Sequence, residues 1–468
     1  MWELSRYHNR KAIIDDESRV MTYDDLVRSL VEFHNAVGDR CLIFILCKNS
    51  IGSISGYVSA IENHYTALLL NAELENELLN TLLEKYHPKF IWAPNDSATV
   101  SEKNVVYSKY DYSLCRTDFI IDYEINPELA LLLTTSGSTG SPKFVRLSYE
   151  NLKSNTNSIV EYLKITSDEK PITTLPMNYT YGLSIINTHL MAGATLLVTD
   201  KGLMQKDFWS FFKKEGATSF GGVPYTYEML NRLRFERMDL PSLKTMTQAG
   251  GKLSVELQKK FTTISEDKGY DFVIMYGQCE ATARMAYLPP ENSKTHPGSI
   301  GIAIPGGQFK IMGDNNEEIL NPYTPGELVY VGKNVSLGYA ECKEDLAKGD
   351  ERNGVLFTGD IAQRDEDGYY YIVGRMKRFL KVFGNRVNLD DLEQMVKNEY
   401  VGIDMAISGR DDLVYIFLTK PEHKEEIKKY LSNKTGLNPT AFKIVIIDTI
   451  PKNDSGKILY TTLSEYFT

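Results

Sequence analysis

The scarcities of this chain narrow its chemistry first. Cysteine is sparse: five residues, at 41, 47, 115, 279 and 342, odd in number and without a C-x-x-C pair. That argues against a disulfide scaffold and predicts a reducing compartment, hence a cytoplasmic location. The seven histidines are scattered, with no pair at metal-ligand spacing, which argues against a zinc or haem centre. No apolar run is long enough to cross a bilayer; the run over 41–47 reads instead as a buried strand. The opening residues, Met1 to His8, carry no apolar core of the signal-peptide kind. Positive charge is in deficit, with a net charge of −10 at pH 7, so no basic face for nucleic acid or for an anionic membrane is expected. Internal repeats and low-complexity segments are absent as well.

What is present is the composition of a globular enzyme. The 468 residues are 42% hydrophobic and 24% charged, enough for about two to four domains with a large core. Thr22 and Asp25 form a capping box before a helix over 23–37. Strands at 41–47, 67–70 and 89–93 are separated by helical stretches to 63 and over 72–86. The rhythm resumes with helices at 149–163, 183–191 and 207–215, and strands at 172–175, 194–198, 217–220, 243–247 and 272–276. This alternation predicts an α/β fold of parallel sheets covered by helices. From Pro297 glycine and proline become frequent, and short strands at 307–312, 327–331 and 369–373 predict a twisted sheet or small β-barrel. After a basic stretch at 376–381 comes a small α+β unit, with helices near 389–398 and 422–433 and strands near 403–408, 413–419 and 443–447. A boundary at Gly374–Lys377 divides the chain into domains 1–374 and 375–468.

Residues 131–143 read Leu-Leu-Leu-Thr-Thr-Ser-Gly-Ser-Thr-Gly-Ser-Pro-Lys, and no other segment is as informative. Three apolar residues end a buried strand. Gly137 and Gly140 then let the backbone curl, so that successive N–H groups point into one concavity. Ser136, Ser138 and Thr139 add donors, and Lys143 adds positive charge. The result is a phosphate cradle, but not a Walker A loop, which needs Gly-Lys followed by Ser or Thr. A flexible Ser/Gly surface loop is the plain alternative for this segment taken alone.

Four further clusters follow. In Ile274-Met275-Tyr276-Gly277-Gln278-Cys279-Glu280, Tyr276 could stack on a base and Glu280 could hold a divalent cation beside phosphates. Equally, Tyr276 could be a core aromatic and Glu280 a solvated charge. In Phe357-Thr358-Gly359-Asp360 a carboxylate after a strand suits a grip on ribose hydroxyls, or is simply a Gly-Asp turn. The remaining two are the stretch 374–387, Gly-Arg-Met-Lys-Arg-Phe-Leu-Lys-Val-Phe-Gly-Asn-Arg-Val, and 451–457, Pro-Lys-Asn-Asp-Ser-Gly-Lys.

In this order and spacing, the five clusters resemble those of the adenylate-forming superfamily of acyl-CoA synthetases, carrier-protein adenylation domains and luciferases, over nearly the whole chain. The resemblance implies a large N-terminal domain of two packed α/β sheets and a β-barrel, plus a small mobile C-terminal domain pivoting at Lys377. It implies that Thr135, Ser136, Gly137, Ser138, Thr139, Gly140 and Lys143 hold the β- and γ-phosphates of ATP. Gly250 and Gly251 would flank adenine, Tyr276 would stack on it, Gly277 would also belong to the nucleotide site, and Asp360 and Arg375 would grip the ribose. Glu280 and Thr139 would ligate Mg²⁺, Lys457 would serve the adenylation step, and Gly384 would line the thiol tunnel. Lys457, Glu280 and Lys143 are the catalytic set so implied. Three positions depart from the family pattern: Phe144 where glycine usually follows the lysine, Cys279 where threonine usually precedes the glutamate, and Tyr460 where arginine often ends the last motif. None removes a charged catalytic group.

The activity implied is ATP-dependent acid–thiol ligation, with ATP, Mg²⁺, a carboxylic acid, and CoA or a phosphopantetheine carrier protein as the reacting partners. The segment 175–184 matches the family's stretch beside the acyl pocket, which places Tyr179 and Gly182 at the substrate. It holds no carboxylate to pair an α-ammonium, which favours a non-amino acid. An amino-acid–carrier-protein ligase, a luciferase-type oxygenase and a catalytically silent binding protein are the competing expectations.

Overall fold

In the computed structural model of the chain, the described residues are 1–97, 104–134, 143–313, 315–383, 385–400, 402–452 and 458–467, with the side chains of 377, 379, 385 and 386 left aside. Chain contacts divide it into one unit of Met1–Gln308 with Tyr330–Leu356, and a second of Phe309–Val329 with Phe357–Thr468.

The first unit is built on an eight-stranded sheet. Its centre is parallel: Phe90–Pro94, Leu42–Cys47, Thr66–Asn71 and Leu129–Thr134 lie side by side in that order. These strands are buried along nearly their whole length, as a parallel sheet covered on both faces requires. The helix Tyr23–Val37 starts at Thr22 with the expected capping box to Asp25, and the helix Ile51–Glu62 packs beside it with almost every residue buried. A second, five-stranded sheet runs Ser219–Gly222, Thr245–Gln248, Asp271–Tyr276, Ala286–Leu288 and Ile302–Ala303, the first three parallel. A third, three-stranded sheet pairs Lys11–Asp15 with Leu196–Val198 and Val20–Thr22.

The wholly parallel sheets expected from the sequence rhythm prove to be mixed. On one edge of the large sheet, Asn104–Lys109 and Tyr112–Arg116 form an antiparallel hairpin. Its two-residue loop, Tyr110-Asp111, has φ of 50° and 62°; two positive φ values match the strand twist of a type I′ turn. Neither residue is glycine, so the turn carries no obvious signature. On the other edge, Phe144–Ser148 and Gly338–Ala340 are also antiparallel. The strand expected at 172–175 is reduced to isolated bridges, Pro171 to Ser219 and Ile172 to Leu197. Its residues bond to strands of two different sheets, and Pro171 has no N–H to continue a ladder.

Most residues of a four-stranded sheet, in the order Gly307–Met312, Gly326–Gly332, Val355–Arg364 and Tyr370–Arg375, belong to the second unit. A hairpin, Phe379–Val382 with Asn385–Asn388, and a three-stranded sheet of Met405–Arg410, Leu413–Leu418 and Phe442–Ile446 follow. The helices Leu389–Glu399 and Lys424–Thr435 close a separate core with this last sheet. Among the described residues, no helix is long and apolar enough to cross a membrane.

Arg146, fully buried, fastens one edge of the large sheet. Its guanidinium donates to the carbonyls of Leu337, Tyr339, Lys348 and Gly349 and to Glu351 Oε2. Removing the donors leaves buried carbonyls unsatisfied. Arg146→Met is therefore expected to lower unfolding free energy by about 3 kcal/mol or more, measured by urea denaturation.

Candidate active site

The chemistry-bearing residues of the first unit gather where its parallel strands end, the usual position for ligands in open α/β sheets. Gly250 and Gly251 follow Thr245–Gln248, and Tyr276 closes Asp271–Tyr276. Gly250 has φ of +82°, and a Cβ there would stand 2.6 Å from the Tyr179 hydroxyl. The segments around Gly250 and Tyr179, distant in sequence, thus touch. Gly251 lies against Pro224. Gly182 sits in the first turn of the helix Thr180–Ala192, where a Cβ would be 2.3 Å from the Pro176 carbonyl oxygen.

After Tyr276 the chain makes a tight reversal. Gly277 allows the Ala283 carbonyl to approach within 1.6 Å of where a Cβ would be. A short 3-10 turn, Cys279–Ala281, carries Glu280, and Thr282 and Ala283 follow with φ of 63° and 136°. The Cys279 thiol lies 3.3 Å from the Thr180 hydroxyl, so the residue at the family's usual threonine position ties this turn to the helix Thr180–Ala192.

Lys143 and Glu280, expected from separate motifs, meet on Tyr339. The Tyr339 hydroxyl donates to Glu280 Oε1 at 2.9 Å, and the Lys143 ammonium stands 4.0 Å from the centre of the same ring. Burial, reinforced by the Glu280 charge, pushes the Tyr339 hydroxyl up to about 12, so it remains a donor at any ordinary pH. Lys143 also lies 3.8 Å from Glu341. Phe144, the departure beside it, is buried edge-on against Tyr86 and serves the core.

In the second unit Asp360 and Arg375 face each other across paired strands, Arg375 Nε 3.2 Å from Asp360 Oδ1. Asp360 is buried whereas Arg375 is exposed, leaving a charged pair at the surface end of a sheet. Lys377 falls in the short 3-10 helix Met376–Arg378. Tyr460, in place of the family's arginine, lies under the Arg378 guanidinium at 3.8 Å and donates to Glu393. Thr135, Ser136, Gly137, Ser138, Thr139, Gly140, Gly384 and Lys457 lie outside the described residues.

Two side chains not singled out in the sequence belong here. Tyr339 sits in Ser-Leu-Gly-Tyr-Ala, a stretch with no motif. Arg284 follows Glu280 by four residues, and an arginine among apolar and small neighbours, Ala-Thr-Ala-Arg-Met-Ala, was the available signal. Arg284 is buried, with its guanidinium 4.0 Å from the centre of the Tyr181 ring.

Among the described residues, no cluster of three or more His, Cys, Asp or Glu side chains could hold a metal ion. Glu280 offers a single partly exposed carboxylate with one oxygen engaged by Tyr339. That donor set fits Mg²⁺, which usually takes one or two carboxylates plus phosphate oxygens and water.

The profile of the AMP-binding enzyme family matches residues 2–340. The chain belongs to that family. Among its relatives, a long-chain-fatty-acid–CoA ligase of Bacillus subtilis is 26% identical over 416 residues, covering 83% of this chain and 73% of that one. The fold is shared with o-succinylbenzoate coenzyme A synthetase of Bacillus subtilis in complex with ATP and magnesium ion, at a TM-score of 0.79, 21% identity and 98% coverage of each chain. McyG A-PCP complexed with phenylalanyl-adenylate has the same fold, at a TM-score of 0.77 and 20% identity, covering all of this chain and 83% of that one.

His189, on the helix that begins at the substrate segment, is buried, and burial lowers its pKa from 6.5 to about 4. Between these values the unfolded chain binds a proton that the folded chain refuses, so stability falls as pH drops from about 6.5 to about 4. His189→Gln is expected to flatten this fall, read as the difference between wild-type and variant denaturation midpoints across that window.

Proposed function

We propose that this AMP-binding enzyme is an AMP-forming acid–thiol ligase working through the residues described above. It activates a carboxylic acid with ATP, releasing pyrophosphate, and then passes the acyl group to the thiol of CoA or of a carrier protein, releasing AMP. The observation that carries the reading is the meeting of Lys143 and Glu280 on Tyr339. An ammonium and a carboxylate gathered on one ring support a reading in which one offsets phosphate charge and the other holds a cation.

In the first half-reaction a carboxylate oxygen attacks the α-phosphorus and the bond to pyrophosphate breaks. Two anions approach each other, so the protein's task is to neutralise charge without blocking the attack. Lys143 would offset charge on the leaving phosphates, and Glu280, oriented by the Tyr339 hydroxyl, would hold Mg²⁺. When bound, the ion supplies Lewis-acid stabilisation of the phosphate oxygens. Tyr276 provides an aromatic face for the base, while Asp360 and Arg375 take the ribose hydroxyls. Lys457 supplies charge at the attacked phosphate. In the second half-reaction the thiol attacks the acyl carbonyl and AMP leaves with its bonding electrons.

The same proposal includes a large domain, 1–374, containing a β-barrel, and a mobile domain, 375–468, that turns about Lys377 between the half-reactions. Gly384 would line the thiol tunnel after the turn. The proposed location is cytoplasmic. The acid is proposed to lack an α-ammonium, because Tyr179, Tyr181 and their neighbours over 176–184 include no carboxylate and an unpaired buried charge is costly.

Lys457→Ala is expected to lower acid-dependent ATP–pyrophosphate exchange by about 10²–10³, the usual loss for one preorganised charged group, and to spare thiol transfer from supplied acyl-adenylate. An equal loss in both half-reactions would remove Lys457 from the first step. Across a panel of matched acids, deaminated compounds should drive exchange better than the corresponding α-amino acids; the opposite ranking would reassign the enzyme to amino acids.

A further inference from the structure

Residues 349–354 read Gly-Asp-Glu-Arg-Asn-Gly, in which two acids precede one base. As a sequence the stretch looks self-neutralising, and it belongs to none of the motifs. The fold sends its charges apart. One Asp350 carboxylate oxygen accepts from the backbone N–H groups of Arg352 and Asn353, at 2.8 and 2.9 Å. Glu351 is fastened twice: its N–H donates to the Leu337 carbonyl, and its carboxylate takes the Arg146 guanidinium. Both neighbouring acids are therefore occupied, and the backbone that carries Arg352 is fixed. Among the described residues, no carboxylate lies within ion-pair distance of the Arg352 guanidinium.

Arg352 reaches Tyr339 instead. Its guanidinium stands 4.8 Å from the centre of that ring and donates to the Tyr339 hydroxyl. The same ring carries the Lys143 ammonium at 4.0 Å, and the same hydroxyl donates to Glu280. A hydroxyl can accept while it gives its one proton, so a continuous row runs from Arg352 through Tyr339 to Glu280. Lys143 has Glu341 at 3.8 Å, but that acid is well exposed and water screens the pair. Two cations held on one ring repel each other, and the attraction of the ring offsets only part of this. A ligand with several negative charges along a short chain relieves the repulsion by touching both. Arg352 and Tyr339 are each partly exposed, and one hydroxyl occupies only some of the five guanidinium donors.

We propose that Arg352 is a second phosphate-binding cation of this enzyme. With Lys143 it grips the β- and γ-phosphates of ATP and then the pyrophosphate they become. This rests on the acid–thiol ligase reading and adds a residue to its first half-reaction. When the bond from the α-phosphorus to the bridging oxygen breaks, the electron pair stays on that oxygen, and negative charge gathers on the departing pyrophosphate. A guanidinium suits this task. It stays charged at any working pH, and its planar fork takes two phosphate oxygens at once.

The test titrates the full chain with inorganic pyrophosphate, ATP and AMP in magnesium-containing buffer and follows binding by calorimetry. Arg352→Gln is expected to weaken pyrophosphate and ATP by about tenfold to a hundredfold, the scale of one hydrogen bond to a charged group. AMP has no β- or γ-phosphate, so its affinity should not change. That contrast separates phosphate binding from a merely structural clamp on Tyr339, which would disturb all three ligands alike. Unchanged pyrophosphate affinity in Arg352→Gln, or an equal loss for AMP, would overturn the proposal. Arg352→Lys keeps the charge without the fork and should recover part of the pyrophosphate affinity; a lysine variant no better than the glutamine one would also refute it. Pyrophosphate exchange over a panel of acids then tests the ligase reading separately. A pyrophosphate affinity that depends on Arg352, with no acid driving exchange in the wild type, would leave the phosphate site standing and sink that reading. Exchange by the wild type, with equal pyrophosphate affinity in wild type and Arg352→Gln, would do the reverse.

Discussion

The buried guanidinium of Arg146 is the fastening on which the site depends. It sits in the strand that follows the phosphate loop and grips carbonyls on both sides of Tyr339, in a segment nearly two hundred residues later in the chain. Because those carbonyls are buried, the strand Gly338–Ala340 has one register in which they are all satisfied. That register places the Tyr339 ring under Lys143 and its hydroxyl on Glu280. A structural cation thereby aligns two charges it does not touch, those of Lys143 and Glu280. The arrangement also explains why a tyrosine serves well there: it offers an apolar ring to one charge and a polar tip to the other.

Much of the architecture was legible because it is repetitive and locally coded. Thr22 and Asp25 announce a helix by their spacing, and the runs at 42–47 and 66–71 are apolar enough to be strands buried on both faces. The errors have physical causes of the same local kind. The hairpin over 104–116 is half-exposed, and its Tyr-Asp turn adopts positive φ without glycine. Residues 171–175 bridge two sheets instead of joining one. Within the site, Glu280 and Lys143 could be picked out by motif. Tyr339 could not, since its role arises only when the chain returns to pair with Phe144–Ser148. Arg284 belongs to no motif, and its burial against Tyr181 appears only in the folded chain.

The departures from the family pattern follow one logic. Phe144 turns into the core, Cys279 keeps a contact to Thr180 with a weaker donor, and Tyr460 joins Arg378 and Glu393 in a buried polar cluster. Each change is absorbed by neighbours that share its surroundings. The charged residues of the motifs, Lys143, Glu280, Asp360 and Lys457, are all retained in the sequence.

The tight reversal after Tyr276 has a consequence for how charge is stored in the empty enzyme. Glu280 and Arg284 are four residues apart. Had the turn at Cys279–Ala281 continued as an α-helix, they would share a face in the favourable acid-before-base order and neutralise each other. The left-handed backbone of Thr282 and the strained φ of Ala283 stop that helix after one turn. They send Glu280 to Tyr339 and Arg284 to Tyr181. Backbone strain, of order 1–3 kcal/mol for such residues, thus acts as insulation: it keeps two opposite charges from quenching one another.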